Sequence, residues 1–232
     1  MSFAVGVEAG GSFTQVAVID TKSQKITHMQ RYARDSNRYI LGLEKSLSVM
    51  HECVQESLKN AGVQMKDVLQ VGITASGFNA SDPQITSFFQ KLGYPKLIAS
   101  HDTDGPAVAF LAQNPCQNCC VMICGTGSAS KVFGPKGNRL LGAFGHALNE
   151  SNCGYDLVHQ FVNTVIEEFD VGNYEHKQLY QMFAEFEQIS DDYRSNDLLD
   201  LFYGQNKRKI AGFAKVMCDH ADIPLFKKLI VN

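Results

Sequence analysis

Two short glycine turns and one carboxylate are the residues best suited by type and spacing to do chemistry. The first turn is Glu8-Ala9-Gly10-Gly11-Ser12 and the second is Cys124-Gly125-Thr126-Gly127-Ser128. Glycine lets the backbone approach a phosphate closely and present several N–H donors to it. Neither turn is a Walker loop, since GxxxxGK[ST] does not occur in the chain. Neither opens a dinucleotide-binding unit, because the pattern after each is that of a strand rather than a helix. Taken singly, each turn also fits a plain hairpin. Their matching positions in two α/β units are more specific, and would place them on either side of a cleft. The carboxylate is Asp102, in His101-Asp102-Thr103-Asp104-Gly105. At a strand end it could take the proton of a hydroxyl attacking a phosphoryl group. The same spacing suits Asp102 or Asp104 as a cap for the helix that follows. His101 is assigned no role.

These residues must be held by regular elements, and the chain supplies them in order. Phe3–Glu8, Gln15–Asp20 and Lys25–Ala33 read as an antiparallel meander. Arg38–Asn60 reads as one helix, with Leu43, Leu47, Met50, Val54 and Leu58 recurring at spacings of three and four. Gly62 is its stop signal. Val68–Thr74 and Leu97–Ser100 read as strands, and Pro83–Leu92 and Gly105–Ala112 as helices. Strand–helix–strand crossovers imply parallel pairing at the centre, with the meander to one side.

After the boundary segment Gln113–Asn118 the pattern restarts. Strands are expected at Val121–Cys124, Lys131–Phe133 and Arg139–Ala143, with a turn at Pro135–Asn138. Helices then dominate: Gly154–Phe169, Tyr174–Phe186, Asn196–Phe202 and Lys207–His220. The expected domains are residues 1–116 and 117–232.

Composition narrows the function classes. The 232 residues carry a formal charge of -3, which gives no electrostatic footprint for nucleic acid or an anionic membrane. No apolar run approaches the roughly 20 residues that span a bilayer. The opening MSFAVGVEAGG has no basic segment followed by a long apolar one, so a cytosolic location is expected. Seven cysteines, an odd number, suit reduced thiols better than a disulfide framework. Cys116, Cys119, Cys120 and Cys124 invite a zinc reading, but no second CxxC or His pair follows, and no metal ligands are assigned. Cys120 and Cys124, in the apolar run CCVMIC, are expected to be small buried thiols.

With these residues in view, a family resemblance emerges. VEAGGSFTQVAVID resembles the first phosphate motif of the actin/hexokinase/heat-shock ATPase superfamily. CGTGSASKVFGPKGNRLLGAFGHALNE resembles the second phosphate motif and sugar loop of N-acetylglucosamine kinases and their BadF/BadG relatives. Ser36-Asn37, Ile98–Gly105 and Lys209–Phe213 match in the same order, so the resemblance covers nearly the whole chain. It implies a two-domain, ribonuclease H-like, actin-like ATPase fold with an interdomain cleft. It also implies transfer of phosphate from ATP·Mg²⁺ to N-acetyl-D-glucosamine, giving the 6-phosphate in amino-sugar salvage. Asp102 then matches the catalytic base and a sugar contact. Gly10, Gly11, Ser12, Gly125, Thr126, Gly127 and Ala211 match the nucleotide site. Asn37, Ser128, Ala129, Ala143, Phe144 and Glu150 match the sugar site. Glu8 or Asp104 would be the carboxylate nearest magnesium.

The departures are specific. Asn149-Glu150-Ser151-Asn152-Cys153 stands where the family has Gly-Asp-Glu-Gly-Ser, Phe144 replaces a tryptophan, and Ser12 replaces a threonine. Family members also continue well past Asn232, through an adenosine-binding segment. The second domain is therefore expected to be incomplete, with Phe226, Leu229, Ile230 and Val231 of a last helix facing a core that lacks its other side. The alternative reading is a truncated, catalytically inactive relative that acts as a binding or regulatory protein. An activator ATPase coupled to an iron–sulfur cluster fits less well, because Cys116 and Cys119 match its bridging cysteines poorly. The sequence admits a homodimer without specifying one.

Overall fold

The computed structural model describes every residue except 1, 79–81, 115, 117, 149–150, 205–206 and 232. The first half holds β1 (Phe3–Ala9), β2 (Thr14–Asp20), β3 (Lys25–Tyr32), α1 (Arg38–Leu41), α2 (Leu43–Asn60), β4 (Val68–Ala75), α3 (Pro83–Lys91), β5 (Lys96–His101) and α4 (Asp104–Gln113). The second holds β6 (Cys119–Cys124), β7 (Ser128–Phe133), β8 (Arg139–Gly142), α5 (Gly154–Asp170), α6 (Lys177–Glu187), α7 (Asn196–Tyr203), α8 (Lys207–Asp219) and α9 (Pro224–Val231). The chain divides into two compact units, residues 1–121 with 132–138 and residues 122–131 with 139–232, and the division passes through β6 and β7.

In the first unit one sheet runs β3-β2-β1-β4-β5. β1 is antiparallel to β2 and parallel to β4, which is parallel to β5, as the crossover pattern requires. Val5, Val7 and Ala9 lie level with Val71, Ile73 and Ala75, so one face of the sheet is continuously apolar. Leu47, Met50, Val54 and Leu58 of α2 and Ile85 and Phe89 of α3 join that face in a buried cluster. The helix expected over 38–60 is broken at Gly42, whose φ of 79° is left-handed. Only glycine adopts that angle without strain, so the chain can change direction between α1 and α2.

The second unit buries its apolar residues mainly between helices. α5 presents Val158, Phe161, Val162 and Val165 to Phe183 of α6, Leu201 of α7, Phe213 of α8 and Phe226 of α9. The Phe161 ring lies 5.7 Å from that of Phe213 and 5.4 Å from that of Phe226. This corrects the expectation for the last helix. Leu225 and Phe226 are buried, Leu229 packs against the same cluster, and among the residues named only Ile230 and Val231 remain substantially exposed. A second correction concerns the thiols. Strand β6 alternates, so Cys120, Met122 and Cys124 point outward while Cys119, Val121 and Ile123 are half-buried. All seven cysteines are free. No described helix is long and apolar enough to cross a membrane.

The least expected core residue is Glu187, fully buried at the end of α6. Burial raises its carboxyl pKa, and Lys209 opposes this only in part, with Nζ 3.5 Å from Oε2. A carboxyl whose folded pKa lies above its unfolded value favours folding at low pH, and that contribution is lost as pH rises through the folded pKa. Glu187→Gln should therefore gain stability relative to the parent between pH 4.5 and pH 8. Urea denaturation at the two pH values checks it, and a difference that stays constant or moves the other way would contradict the sign.

Candidate functional site

In the first unit the site is set by register. Ala9, Ala75 and His101, the last residues of β1, β4 and β5, lie level with one another. At about 4.8 Å per strand, the ends of β1 and β5 are about 10 Å apart. The turn 10–12, the segment Ser76-Gly77 and Asp102 therefore all leave the sheet at one edge. This is the carboxyl edge at which parallel α/β sheets bind ligands.

A buried polar network joins the first turn to Asn37. The Ser36 N–H donates to the Gly10 carbonyl at 3.1 Å, and the Ser46 hydroxyl donates to the Ser36 carbonyl at 2.5 Å. The Thr14 hydroxyl lies 3.0 Å from both the Arg34 carbonyl and the Ser36 hydroxyl. Thr14, Ser36 and Ser46 are all buried, and a satisfied network in such surroundings is rigid. It fixes the next residue, Asn37, which caps α1 by accepting the Tyr39 N–H at 2.9 Å. The Asn37 Nδ2 comes 3.6 Å from the point a Gly11 Cβ would occupy. On the other side of the turn, the Arg31 guanidinium covers the Phe13 ring at 3.5 Å.

The carboxylates of the 101–105 segment have separate environments. Asp104 accepts the His101 N–H through Oδ2 at 3.2 Å and lies in the first turn of α4. Asp102 stands just beyond β5, and its Oδ1 is buried without a well-aligned donor. His101 Nδ1 is only 2.7 Å from that oxygen, but it also meets the Thr103 hydroxyl at 2.9 Å and the Thr103 N–H at 3.4 Å. The capping residue of α4 is Thr103, which makes no side-chain cap bond.

The second unit gathers its own set. Gly125 N–H bonds the Gly127 carbonyl at 2.8 Å, closing the turn, and nothing lies within 4 Å of a Cβ built on Gly125. The start of α5 docks on this turn, Gly154 N–H donating to the Gly125 carbonyl at 2.8 Å and Tyr155 N–H to the Thr126 carbonyl at 3.3 Å. A Cβ on Gly154 would lie 3.3 Å from the Gly125 oxygen and 3.2 Å from the Ala211 oxygen. That close approach brings Ala211 to the second turn. Ser128 donates to the Ser151 carbonyl at 2.6 Å, and Ser128 and Ala129 line an open depression of about 220 Å³ with Cys124, Leu141 and Asn152. Ala143 has a left-handed φ of 63°, and Phe144 beside it is 67% exposed. Glu150 lies outside the described residues.

Sequence reasoning missed Ser76-Gly77 and Tyr39. A signal was present, since Gly77 follows a buried apolar strand much as Gly10 follows β1. The Thr14–Ser36–Ser46 network had no signal, because isolated hydroxyls look like surface residues until the fold buries them.

The strand order and the placement of a glycine turn after β1 define an α/β unit of ribonuclease H-like type. No protein-family model matches the chain. Among solved structures, it is similar to a protein of Chromobacterium violaceum provisionally named N-acetylglucosamine kinase. The identity is 18%, with 99% of this chain and 78% of that one covered, at a TM-score of 0.77. A Porphyromonas gingivalis protein given the same provisional name matches at 17% identity, covering 98% and 76%, with a TM-score of 0.69. The likeness establishes the α/β fold that this chain shares with those two proteins.

The network yields a stability prediction. Thr14→Val keeps the shape and removes the hydroxyl, and should cost about 1–3 kcal/mol in urea denaturation. Thr27→Val removes a hydroxyl bonded to the Val18 carbonyl on the exposed edge strand, and should change stability by less than about 0.5 kcal/mol. Equal effects would show that the network is not a special anchor.

Proposed function

We propose that this chain is an ATP-dependent sugar kinase, transferring the γ-phosphoryl group to the 6-hydroxyl of N-acetyl-D-glucosamine. The observation that carries this reading is the position of Asp102, whose buried Oδ1 has His101 Nδ1 close beside it at 2.7 Å, on the same sheet edge as the Gly10-Gly11-Ser12 turn and Asn37. The imidazole contact is poorly aligned for a hydrogen bond, and a carboxylate keeps further lone pairs with which to accept a donor. A sugar hydroxyl is such a donor, and deprotonating it is the step that phosphoryl transfer needs.

The remaining residues fit an anionic nucleotide. Open space around Gly125 and a nearest contact of 3.8 Å at Gly10 leave both turns approachable by phosphate. Gly10, Gly11 and Ser12 would border the phosphates of ATP, the Gly10 N–H itself being held by the Phe13 carbonyl at 3.0 Å. Gly125, Thr126 and Gly127 are the second unit's residues matched to the nucleotide, with the Gly125 N–H held by the Gly127 carbonyl at 2.8 Å. Ala211, seated against Gly154, would border the nucleotide. Magnesium would be held mainly through the phosphates and water. Asp104 already accepts the His101 N–H, which favours Glu8, exposed at the end of β1, as the nearest protein carboxylate. Asn37 would hold sugar hydroxyls, and Ser128, Ala129, Ala143, Phe144 and Glu150 are the second unit's residues matched to sugar recognition.

In the reaction Asp102 accepts the proton as the sugar oxygen bonds to phosphorus and the bond to ADP breaks. Asp102→Asn should lower sugar-dependent ADP release by two or more orders of magnitude while leaving the fold intact. Retained turnover would remove Asp102 as base. A well-folded parent chain that releases no ADP with any amino sugar would favour the alternative of a non-catalytic binding protein. Thr126→Ala should raise KM for ATP more than KM for the sugar, and the reverse would exchange the two assignments.

A further inference from the structure

Tyr39 is an exposed aromatic residue built into the site edge rather than left loose on the surface. The residue is 76% exposed, yet its position is fixed from below and behind. The ring rests on Gly77, where a Cβ would overlap Cε2 of Tyr39 and lie 3.1 Å from Cδ2. Gly77 also has a φ of 74°, so the seat requires glycine twice over. Behind the ring, the Tyr39 N–H is held by the Asn37 side chain, and the adjacent Arg38 is paired with Asp82 at 3.0 Å. The Arg38–Asp82 pair is only 24% and 19% exposed at its two side chains, so α1 is pinned to the start of α3. The seat itself is tied to the first turn's strand, since Ser76 N–H donates to the Ala9 carbonyl at 3.0 Å.

We propose that Tyr39 is the platform on which the sugar ring lies, its apolar C–H face against the aromatic ring, while the Asn37 amide meets its hydroxyls. The proposal rests on the sugar-kinase reading and adds to it a residue that selects for a pyranose face. Three features carry it: a large aromatic surface left open, a glycine seat that fixes the ring before any ligand arrives, and a direct bond to the amide at Asn37. An aromatic face prefers partners bearing partial positive charge, which ring C–H groups supply. A ring already immobilised also loses little freedom on binding. The specificity-determining pair is thus Tyr39 with its seat Gly77.

The test uses the full chain, with calorimetric binding of N-acetyl-D-glucosamine and of ATP measured separately from turnover. Tyr39→Ala should weaken sugar binding and raise KM for sugar about five- to tenfold, with KM for ATP and the melting temperature unchanged. Tyr39→Phe should restore sugar affinity to within about twofold of the parent, since it keeps the ring. Gly77→Ala, which displaces the ring without removing it, should resemble Tyr39→Ala. Unchanged sugar affinity in Tyr39→Ala, with a parent that binds and phosphorylates sugar, overturns the platform alone. A rise in KM for ATP instead would mean that the ring stacks on adenine and would equally overturn it. A parent that binds no sugar removes both this proposal and the kinase reading.

Discussion

The hydrogen bond from the Ser36 N–H to the Gly10 carbonyl is the constraint on which the first unit's site depends. A glycine turn free at both ends would sample many shapes, because glycine restricts its own backbone least. Here its carbonyl is claimed from one side, and the residue that claims it is held by Ser46 on α2 and Thr14 on β2. Asn37, the next residue in the chain, inherits that position. The backbone of the turn and the Asn37 amide are therefore parts of one rigid body. Its rigidity comes from hydroxyls that the sheet and α2 enclose.

The second unit solves the same problem by different means. Its turn is fixed by the start of α5 through two backbone bonds, with Gly154 small enough to let the helix approach. Ala211 arrives on α8, which packs along α5 through Phe161 and Phe213. In one unit side-chain hydroxyls anchor a hairpin, and in the other a helix end does so. The common requirement is that a glycine turn be immobilised without being covered.

Much of this was legible in the sequence. The parallel centre and flanking meander follow from strand–helix–strand order, and the helical periodicity of 43–58 identifies the face of α2 that enters the core. Asp102 was legible as the carboxylate at a strand end, while spacing suited Asp102 and Asp104 equally as a helix cap. Spacing cannot say that Asp104 takes the His101 N–H while Asp102 sits beside the His101 ring, since that depends on a few tenths of an ångström. The break at Gly42 was hidden because apolar periodicity continues across it. Burial of Phe226 was hidden for a different reason: its partners, Phe161 and Phe213, lie on other helices, outside its own stretch of sequence. The exposure of Cys120 and Cys124 follows from strand alternation, which an uninterrupted apolar run conceals.

The two buried clusters have no residue in common, and they differ in how far along the chain their members lie. In the first, Phe3 must find Val68 before the central parallel pair can form, so a long loop closes before any reward is gained. In the second, the partners are successive helices. Contact order therefore makes the helical unit the faster folder and the sheet unit the slower one. During synthesis the slower unit leaves the ribosome first, and the time taken to make the helices is time in which β1 can find β4.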